Sequence, residues 1–295
     1  MGVDKIMQNW RIICVPFECG CDREGASLAP QWLVDNSVIL SQVSIFYLEC
    51  LKVTKTKLSN GIKNYEEVGI TCRRLRDIVS NLKADGKCLL TIGGDHSIAL
   101  GSIAGVLEHN PNIGVIWFDA HGDVNTEATS PSANAHGMPV AALMGLCKSG
   151  INDIATTRLK PQNVFWVGAR DLDSGENETI EKLGIMDNVY STERVHVMGM
   201  ASVMDEIRRK MESQGIKEVH LSFDIDGMDP SIVWATGTRV KDGLFQEDLD
   251  AFIEGLARLP EMKSMDFVEY NPLLDDGMHT TGKWCVETLN RICIM

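Results

Sequence analysis

Short apolar runs bounded by turn residues recur along this chain and alternate with segments of helical periodicity. The runs are rich in β-branched and aromatic residues, which favours buried strands. Over 65–83, apolar residues recur at spacings of three and four, which predicts an amphipathic helix. Further helices are predicted at 97–109, 200–214, 246–259 and 281–294. The predicted strands are 11–15, 43–47, 88–92, 114–118, 163–167, 219–223 and 265–268.

Alternating strands and helices are typical of βαβ units, whose parallel sheet is covered on both faces. The predicted fold is therefore α/β, a three-layer α/β/α arrangement with a mostly parallel central sheet. Two stretches are predicted to be irregular. One follows the first strand and holds Gly20, Gly25 and Pro30, and the other spans 120–138, where Pro131, Gly137 and Pro139 oppose regular structure. No linker, repeat or low-complexity segment divides the chain, so we expect one domain over 1–295.

Composition and charge narrow the class of protein. The 295 residues are 44% hydrophobic and 23% charged, which is ordinary for a globular protein. A net charge of −13 disfavours nucleic acid and anionic membranes as partners and suits a cationic substrate. Nine cysteines without a CxxC pair favour reduced thiols. The sequence has neither a secretory-type apolar stretch nor an apolar run of about 18 residues, so a cytoplasmic protein is expected.

Three predicted strands end in residues that bind metals. Strand 88–92 leads to His96, strand 114–118 to Asp119, His121 and Asp123, and strand 219–223 to Asp224, Asp226 and Asp229. Side chains two apart on a strand share a face, about 6.6 Å apart along it. Open α/β sheets bind ligands at the carboxyl ends of their strands. Five carboxylates and two imidazoles would be costly to hold together there unless positive charge lay between them, so a metal site is predicted.

The donor set limits the metal and its chemistry. Oxygen ligands without thiolate suit Mn²⁺ or Mg²⁺, and imidazole extends the choice to Fe, Co, Ni or Zn. Bridging carboxylates allow two ions about 3.5–4 Å apart, and such ions lower the pKa of water from about 15.7 toward ~7. Attack by the resulting hydroxide on a trigonal carbon would give a tetrahedral intermediate, whose amine must leave in protonated form. Its proton carrier should titrate near neutrality, which points to a histidine such as His136.

Four motifs carry a family resemblance that covers nearly the whole chain. They are GGDHS at 93–97, DAHGDVN at 119–125, SANAHGMP at 132–139 and SFDIDGMDP at 222–230. With them the chain resembles the arginase or ureohydrolase family. The resemblance implies the three-layer fold, assembly as a homotrimer or homohexamer, and two Mn²⁺ per chain, although the donors also allow Co²⁺ or Fe²⁺. It implies that Asp119 and Asp224 bridge the ions, that His96 and Asp123 complete one ion, and that His121 and Asp226 complete the other.

The resemblance also implies roles in the reaction. Catalysis would involve His136, Asp123 and Glu269, with His136 transferring protons. Thr238 and Glu269 match positions that face the substrate guanidinium. The polar groups of Asn125, Ser130, Ser132 and Asn134 suit an α-carboxylate, and Asp173 suits an α-ammonium. Each of these polar residues, taken alone, is also a common turn residue.

The implied reaction is hydrolysis of L-arginine to L-ornithine and urea by a metal-bridging hydroxide, a step of arginine metabolism and of the urea cycle. The alternatives are another ureohydrolase, such as an agmatinase or guanidino-acid hydrolase, and a non-catalytic family member. Two positions depart from the usual pattern. Ala133 stands where glycine is usual, and its methyl group disfavours positive φ. Arg239 follows Thr238 where proline is usual, so both put substrate choice in question.

Overall fold

The structure, a computed structural model, describes residues 10–53 and 55–294. Its strands are β1 (Trp10–Val15), β2 (Ser44–Tyr47), β3 (Leu58–Ser59), β4 (Ile62–Lys63), β5 (Cys88–Gly93), β6 (Gly114–Phe118), β7 (Val164–Val167), β8 (Val189–Tyr190), β9 (Glu218–Asp224) and β10 (Glu261–Val268). Its helices are α1 (Ala29–Asn36), α2 (Tyr65–Ala84), α3 (Ala99–Leu107), α4 (Pro139–Met144), α5 (Ser174–Leu183), α6 (Thr192–Met198), α7 (Met200–Ser213), α8 (Gln246–Leu256) and α9 (Thr280–Cys293).

Eight strands form one sheet in the order β2-β1-β5-β10-β9-β6-β7-β8. Neighbouring strands in it pair in parallel. β3 and β4 form a separate antiparallel hairpin. Because all eight strands run the same way, their carboxyl ends meet along one edge, where the metal-type residues follow β5, β6 and β9.

Apolar cores lie on both faces of this sheet. One holds residues of α2, α3 and α4, and the other holds residues of α1, α7, α8 and α9. Every residue of α3 is buried, as expected for a helix that is apolar on all sides. Gly101 of α3 allows α2 to pack closely, because a Cβ there would lie 2.5 Å from the carbonyl oxygen of Cys72. The predicted three-layer α/β/α fold is confirmed.

The prediction of irregular structure was partly wrong for the first stretch and holds for 120–138 apart from one 3₁₀ turn, but a proline was misinterpreted at the edge of each. Pro30 lies in the first turn of α1, and Pro139 is the first residue of α4. The first turn of a helix tolerates proline because its N–H groups have no partner within the helix. A 3₁₀ turn at Ala135–Gly137 also interrupts the second stretch. These two prolines mark the starts of helices, whereas they had been interpreted as signs of irregular structure.

Helices α5 and α6, strand β8 and the β3–β4 hairpin were not predicted. For α5 the sequence does carry a start signal, since Asp173 and Glu176 form a capping box at its N-terminus. The other elements are too short for the spacing of their apolar residues to distinguish a helix or strand from a loop. Within the described ranges, no helix has the length and apolar character needed to cross a membrane.

Candidate metal centre and its cavity

The three predicted strand ends bring the six predicted metal ligands together. His96 follows β5 in a short 3₁₀ turn, Asp224 is the last residue of β9, and Asp226 lies two residues further on. Asp119, His121 and Asp123 follow β6. All six are buried except His121, whose side chain is 22% exposed. The ligand set therefore occupies the carboxyl edge of the sheet, with His121 nearest to solvent.

His96 faces three carboxylates. Its Nδ1 lies 3.0 Å from an oxygen of Asp119, 3.2 Å from one of Asp123 and 3.3 Å from one of Asp224. Donor atoms of His96, Asp119 and Asp123 all lie within 4.8 Å of one another. These distances are short enough for one ion to contact several of the groups at once.

His121 defines a second group around the same aspartate. Its Nδ1 lies 3.2 Å from the other oxygen of Asp119 and 3.2 Å from an oxygen of Asp226. Donor atoms of Asp119, His121 and Asp226 also lie within 4.8 Å of one another. Asp119 belongs to both groups, one oxygen facing each, which is the arrangement that a bridging carboxylate requires.

The imidazole of His96 is oriented as a metal ligand would be. Its ring stacks on Trp117 at 4.2 Å, and its Nε2 lies 2.8 Å from the hydroxyl of Ser222. Its Nδ1 is buried and makes no hydrogen bond of acceptable geometry, despite the three carboxylates around it. A buried nitrogen that lacks a proton-sharing partner and faces carboxylates is fitted to bind a cation. The residues present therefore fit a metal centre.

Charge in the site also calls for cations. Burial raises the pKa of Asp224 well above its ordinary value, and repulsion by Asp226 and Asp119 adds to the effect. Burial and the charge of Asp119 raise the pKa of Asp123 to about 6. Asp119 is the exception: burial would raise its pKa, but the hydrogen bond from His121 and the charges of the His96 and His121 imidazoles outweigh burial and lower it. Four clustered carboxylates exceed what two imidazoles can neutralise, and two divalent ions would balance them.

The half-buried His136 and the buried Glu269 form a pair beside this centre. Nδ1 of His136 lies 3.1 Å from Oε1 of Glu269, and the same oxygen accepts the backbone N–H of His96 at 2.8 Å. Burial disfavours the imidazolium, but the hydrogen bond to Glu269 and its charge raise the pKa of His136 to about 9. Glu269 adopts a left-handed backbone with φ of 68°. Contact with Glu269 therefore favours the protonated form of the His136 imidazole beside the ligand set.

Asp95 holds the backbone that carries His136. Its Oδ2 accepts the N–H of Gly20 at 2.7 Å, and the carbonyl of Gly20 accepts the N–H of His136 at 3.1 Å. A side chain at Gly20 would collide with Asp95 and Ser97 at 2.5 Å. Asp95 was not predicted as a site residue, although it stands inside the GGDHS motif next to His96.

A cavity of about 320 Å³ opens above the ligands. Its lining includes most of the residues predicted to bind substrate, namely Asn125, Ser130, Ser132, Asp173 and Thr238, together with His136, His121, Asp123 and Asp224. Asn134 and Glu269 line an adjoining space of about 200 Å³, which His136 and Thr238 share. Thr238 also donates to Asp226 at 2.8 Å. The predicted substrate residues thus line two neighbouring cavities beside the ligands.

Two of these polar residues hold each other. Asn125 donates to Asp173 at 2.8 Å, and Asp173 also accepts two backbone N–H groups as the N-cap of α5. Glu176 of the same capping box is buried, lines the cavity and accepts the N–H of Val124 at 3.1 Å. Its pKa is raised to about 8, first by burial and then by the charge of Asp123. Glu176 was missed by the sequence analysis, and the Asp-x-x-Glu spacing was the signal that could have found it.

The structure also describes three further positions that were singled out in the sequence, namely Ala133, Arg239 and Asp229. Ala133 adopts φ of 58° although its methyl group disfavours positive φ. Its N–H donates to Ser130 Oγ at 3.0 Å, which supports this conformation. Arg239 is exposed. Asp229, counted among the five carboxylates, instead accepts from Ser231 and the backbone of Gly243 outside the ligand groups, so that expectation was wrong.

Comparison with known proteins agrees with this geometry. The model of the Arginase family matches residues 8–293. An arginase of Brevibacillus brevis is 39% identical over 280 residues, covering 91% of this chain and 92% of that protein. The crystal structure of Entamoeba histolytica arginase in complex with L-ornithine superposes with a TM-score of 0.88 at 34% identity, covering 97% of this chain and 99% of that one. Bacillus caldovelox arginase superposes with a TM-score of 0.89 at 34% identity, covering 97% and 98%.

The α/β fold, with histidine–aspartate groups able to hold metal ions at the carboxyl edge of its sheet, is that expected of a metal-dependent hydrolase. The chain belongs to the arginase family, so the resemblance read from its motifs is confirmed, as is the expectation that it is a hydrolase.

Proposed function

We propose that this protein is an arginase, which hydrolyses L-arginine to L-ornithine and urea. The observation that carries the proposal is the joint position of two groups of residues. The two ligand groups that share Asp119 lie beside the His136–Glu269 pair, and His136 lines both the cavity above the ligands and the adjoining cavity that Glu269 lines. The alternative of a non-catalytic family member has no such support, because the ligand set is complete.

The proposed metal content is two Mn²⁺ per chain, with Asp119 and Asp224 bridging. His96 and Asp123 would complete one ion, and His121 and Asp226 the other. Two bound divalent ions would lower the pKa of water at the site toward ~7 and so supply a nucleophile at neutral pH. Metal analysis of the reconstituted protein tests this proposal, and a content near zero would contradict it.

The reaction breaks the bond between the guanidinium carbon and the nitrogen that stays with ornithine. Addition of water to that carbon gives a tetrahedral species, whose leaving nitrogen must gain a proton. His136 would give that proton, and its contact with Glu269 and its raised pKa support this role. Glu269 and Thr238 border the space beside His136, where their oxygens would accept N–H groups of the guanidinium. Asp123 would act as a metal ligand that also lines the cavity.

Substrate choice rests on the polar wall of the cavity. Asn125, Ser130, Ser132 and Asn134 would meet the α-carboxylate of L-arginine, and Asp173 its α-ammonium. Agmatine has the same guanidinium but no carboxylate, so it would leave those groups unpaired. Asn125 and Asn134 are buried, and a buried polar group without a partner costs about 1–3 kcal/mol, so losing both partners would discriminate by orders of magnitude.

The deciding experiment compares kcat/KM for L-arginine, D-arginine and agmatine on one Mn-reconstituted preparation. L-arginine is expected to be turned over with the highest kcat/KM by at least about 10²-fold. Agmatine turnover equal to or above that of L-arginine would favour an agmatinase and leave the metal-dependent hydrolase standing.

The remaining proposals concern organisation. We propose a single catalytic domain over 1–295, a homotrimer or homohexamer, and a cytoplasmic location. Light scattering of the purified protein tests the assembly, and a monomer at micromolar concentration would contradict it.

A further inference from the structure

Two segments that contain none of the metal ligands hold the loop 130–134, which supplies three of the proposed substrate residues. One is the β3–β4 hairpin, and the other is the loop that follows β1. The backbone N–H of Lys63, in the hairpin, donates to the carbonyl of Ala133 at 2.9 Å. The loop that carries the left-handed Ala133 is thus fixed from outside by a main-chain hydrogen bond.

Side chains make a second connection between the same segments. The ammonium of Lys63 lies 2.7 Å from both carboxylate oxygens of Asp22. Asp22 in turn accepts a hydrogen bond from Nδ2 of Asn134 at 3.1 Å. The Lys63 and Asp22 side chains are 26% and 54% exposed, whereas Asn134 is 7% exposed. An ion pair this exposed adds little stability, so its effect on Asn134 is the more important consequence.

Asp22 decides which end of the Asn134 amide points toward it. The two ends of an amide are nearly equal in shape, but one donates hydrogen bonds and the other accepts them. A carboxylate only accepts, so Asp22 selects the NH₂ end. Among the described residues no donor reaches Oδ1 of Asn134, which is buried. Contact with Asp22 is therefore what fixes the direction of this amide, and Lys63 holds Asp22 by both oxygens.

We propose that Lys63 and Asp22 are specificity-determining positioning residues, which act on the substrate through Asn134. With the amide fixed, its second N–H remains for the α-carboxylate of the substrate. Without the pair, the amide can turn by half a rotation and present its oxygen, which repels a carboxylate. The pair would thereby favour L-arginine over agmatine, an inference that rests on the proposed function.

Two single variants test the proposal in the Mn-reconstituted protein. Asp22→Ala removes the acceptor of Asn134, and Lys63→Met removes the ammonium while keeping the backbone bond to Ala133. Each is expected to raise KM for L-arginine by roughly five- to tenfold, the factor of about one hydrogen bond. KM for agmatine, kcat and metal content should stay at wild-type values. Lys182→Met is the matched control, because it breaks a comparably simple pair with Glu178 on the exposed face of α5.

A charge swap separates positioning from ion pairing. Asp22→Lys combined with Lys63→Asp restores opposite charges, but it puts an ammonium beside Asn134, which then turns its oxygen toward position 22. Because the exposed pair adds little stability, the swap is expected to keep wild-type thermal stability but not to recover KM for L-arginine. Recovery of KM by the swap, an equal rise for agmatine, or a fall in kcat or metal content would each overturn the proposal. An unchanged KM in both single variants would do the same.

Measuring the binding of ligands that are not hydrolysed tests this inference independently of the proposed function. Titration calorimetry compares L-ornithine, which has the carboxylate, with 1,4-diaminobutane, which lacks it. The variants should weaken only L-ornithine, by the same roughly five- to tenfold. If the wild type failed to hydrolyse L-arginine, the proposed function would fall, whereas the calorimetric difference would still decide the role of the pair.

Discussion

Strand β9 carries parts of two buried histidine–carboxylate networks, one midway along it and one at its carboxyl end. Midway, His220 engages both ring nitrogens, Nδ1 with Ser264 Oγ at 3.0 Å and Nε2 with Asp266 at 3.0 Å. At the end, Asp224 faces His96, which engages only Nε2 and leaves Nδ1 without a hydrogen bond. The two histidines therefore differ in hydrogen bonding: both ring nitrogens of His220 are paired, but only one of His96 is.

The difference lies in how charge is balanced. In the midway network a single carboxylate oxygen of Asp266 accepts from both His220 and Ser102, although its other oxygen has no donor. At the strand end four carboxylates surround two imidazoles. One histidine can satisfy one carboxylate with hydrogen bonds, but it cannot neutralise several. A buried ligand atom without a partner, next to excess charge of one sign, distinguishes a metal centre from a polar core.

Removing a bridging carboxylate should have the largest effect. We expect Asp224→Ala to lose one or both metals and to lower kcat/KM by at least about 10³-fold, because a metal supplies several kcal/mol of transition-state stabilisation. Metal analysis and steady-state kinetics measure both quantities. Asp229→Ala, in the same motif but outside the ligand groups, is the control and should keep its metal. Full metal content in Asp224→Ala would contradict the interpretation of the strand-end network as a metal centre.

Replacement of the proton donor separates chemistry from metal binding. His136→Asn is expected to lower kcat by about 10²–10⁴-fold, the range for loss of general acid–base catalysis, with metal content unchanged. Kinetics at saturating L-arginine and metal analysis of the same sample check this. Retained turnover with a lower melting temperature would assign His136 a structural role instead.

Disruption of the midway network should affect stability alone. Asp266→Ala leaves His220 and Ser102 without their acceptor, so we expect the free energy of unfolding to fall by about 2–4 kcal/mol. Metal content should match wild type in a folded sample. Urea denaturation gives the first quantity and metal analysis the second. Metal loss comparable to that of Asp224→Ala would mean that the two networks act as one site.

The smallest predicted effect is a pH dependence in the metal-free protein. The pKa of His136 is raised from 6.5 to about 9, so its contribution to stability is complete below about pH 6.5 and is lost as pH rises through 9. Wild type should therefore exceed His136→Asn in stability by about 1–3 kcal/mol near pH 6, and this difference should vanish near pH 10. Urea denaturation across this pH range tests the prediction. A difference that grows with pH would show that the imidazolium is not what stabilises the pair.

The sequence by itself determined the elements whose patterns are local and strong. Strand 114–118 was predicted with the bounds it has, and the helix predicted at 65–83 extends by one residue, because face periodicity is a property of neighbouring residues. The metal-type ligands were found for the same reason, since each follows a recognisable strand. Weaker local signals were misread, as with Pro30 and Pro139 at the starts of helices.

Tertiary structure alone decided which strands lie side by side and what each polar group contacts. β10 lies between β5 and β9 although it comes last in the chain, and it brings Glu269 to the backbone of His96, 173 positions away. The contact of Asp22 with Lys63 and the positive φ of Ala133 arise in the same way. Periodicity shows which face of an element is buried, but the partner of that face is set by packing of the whole sheet. Such pairings between distant residues leave no local pattern in one sequence.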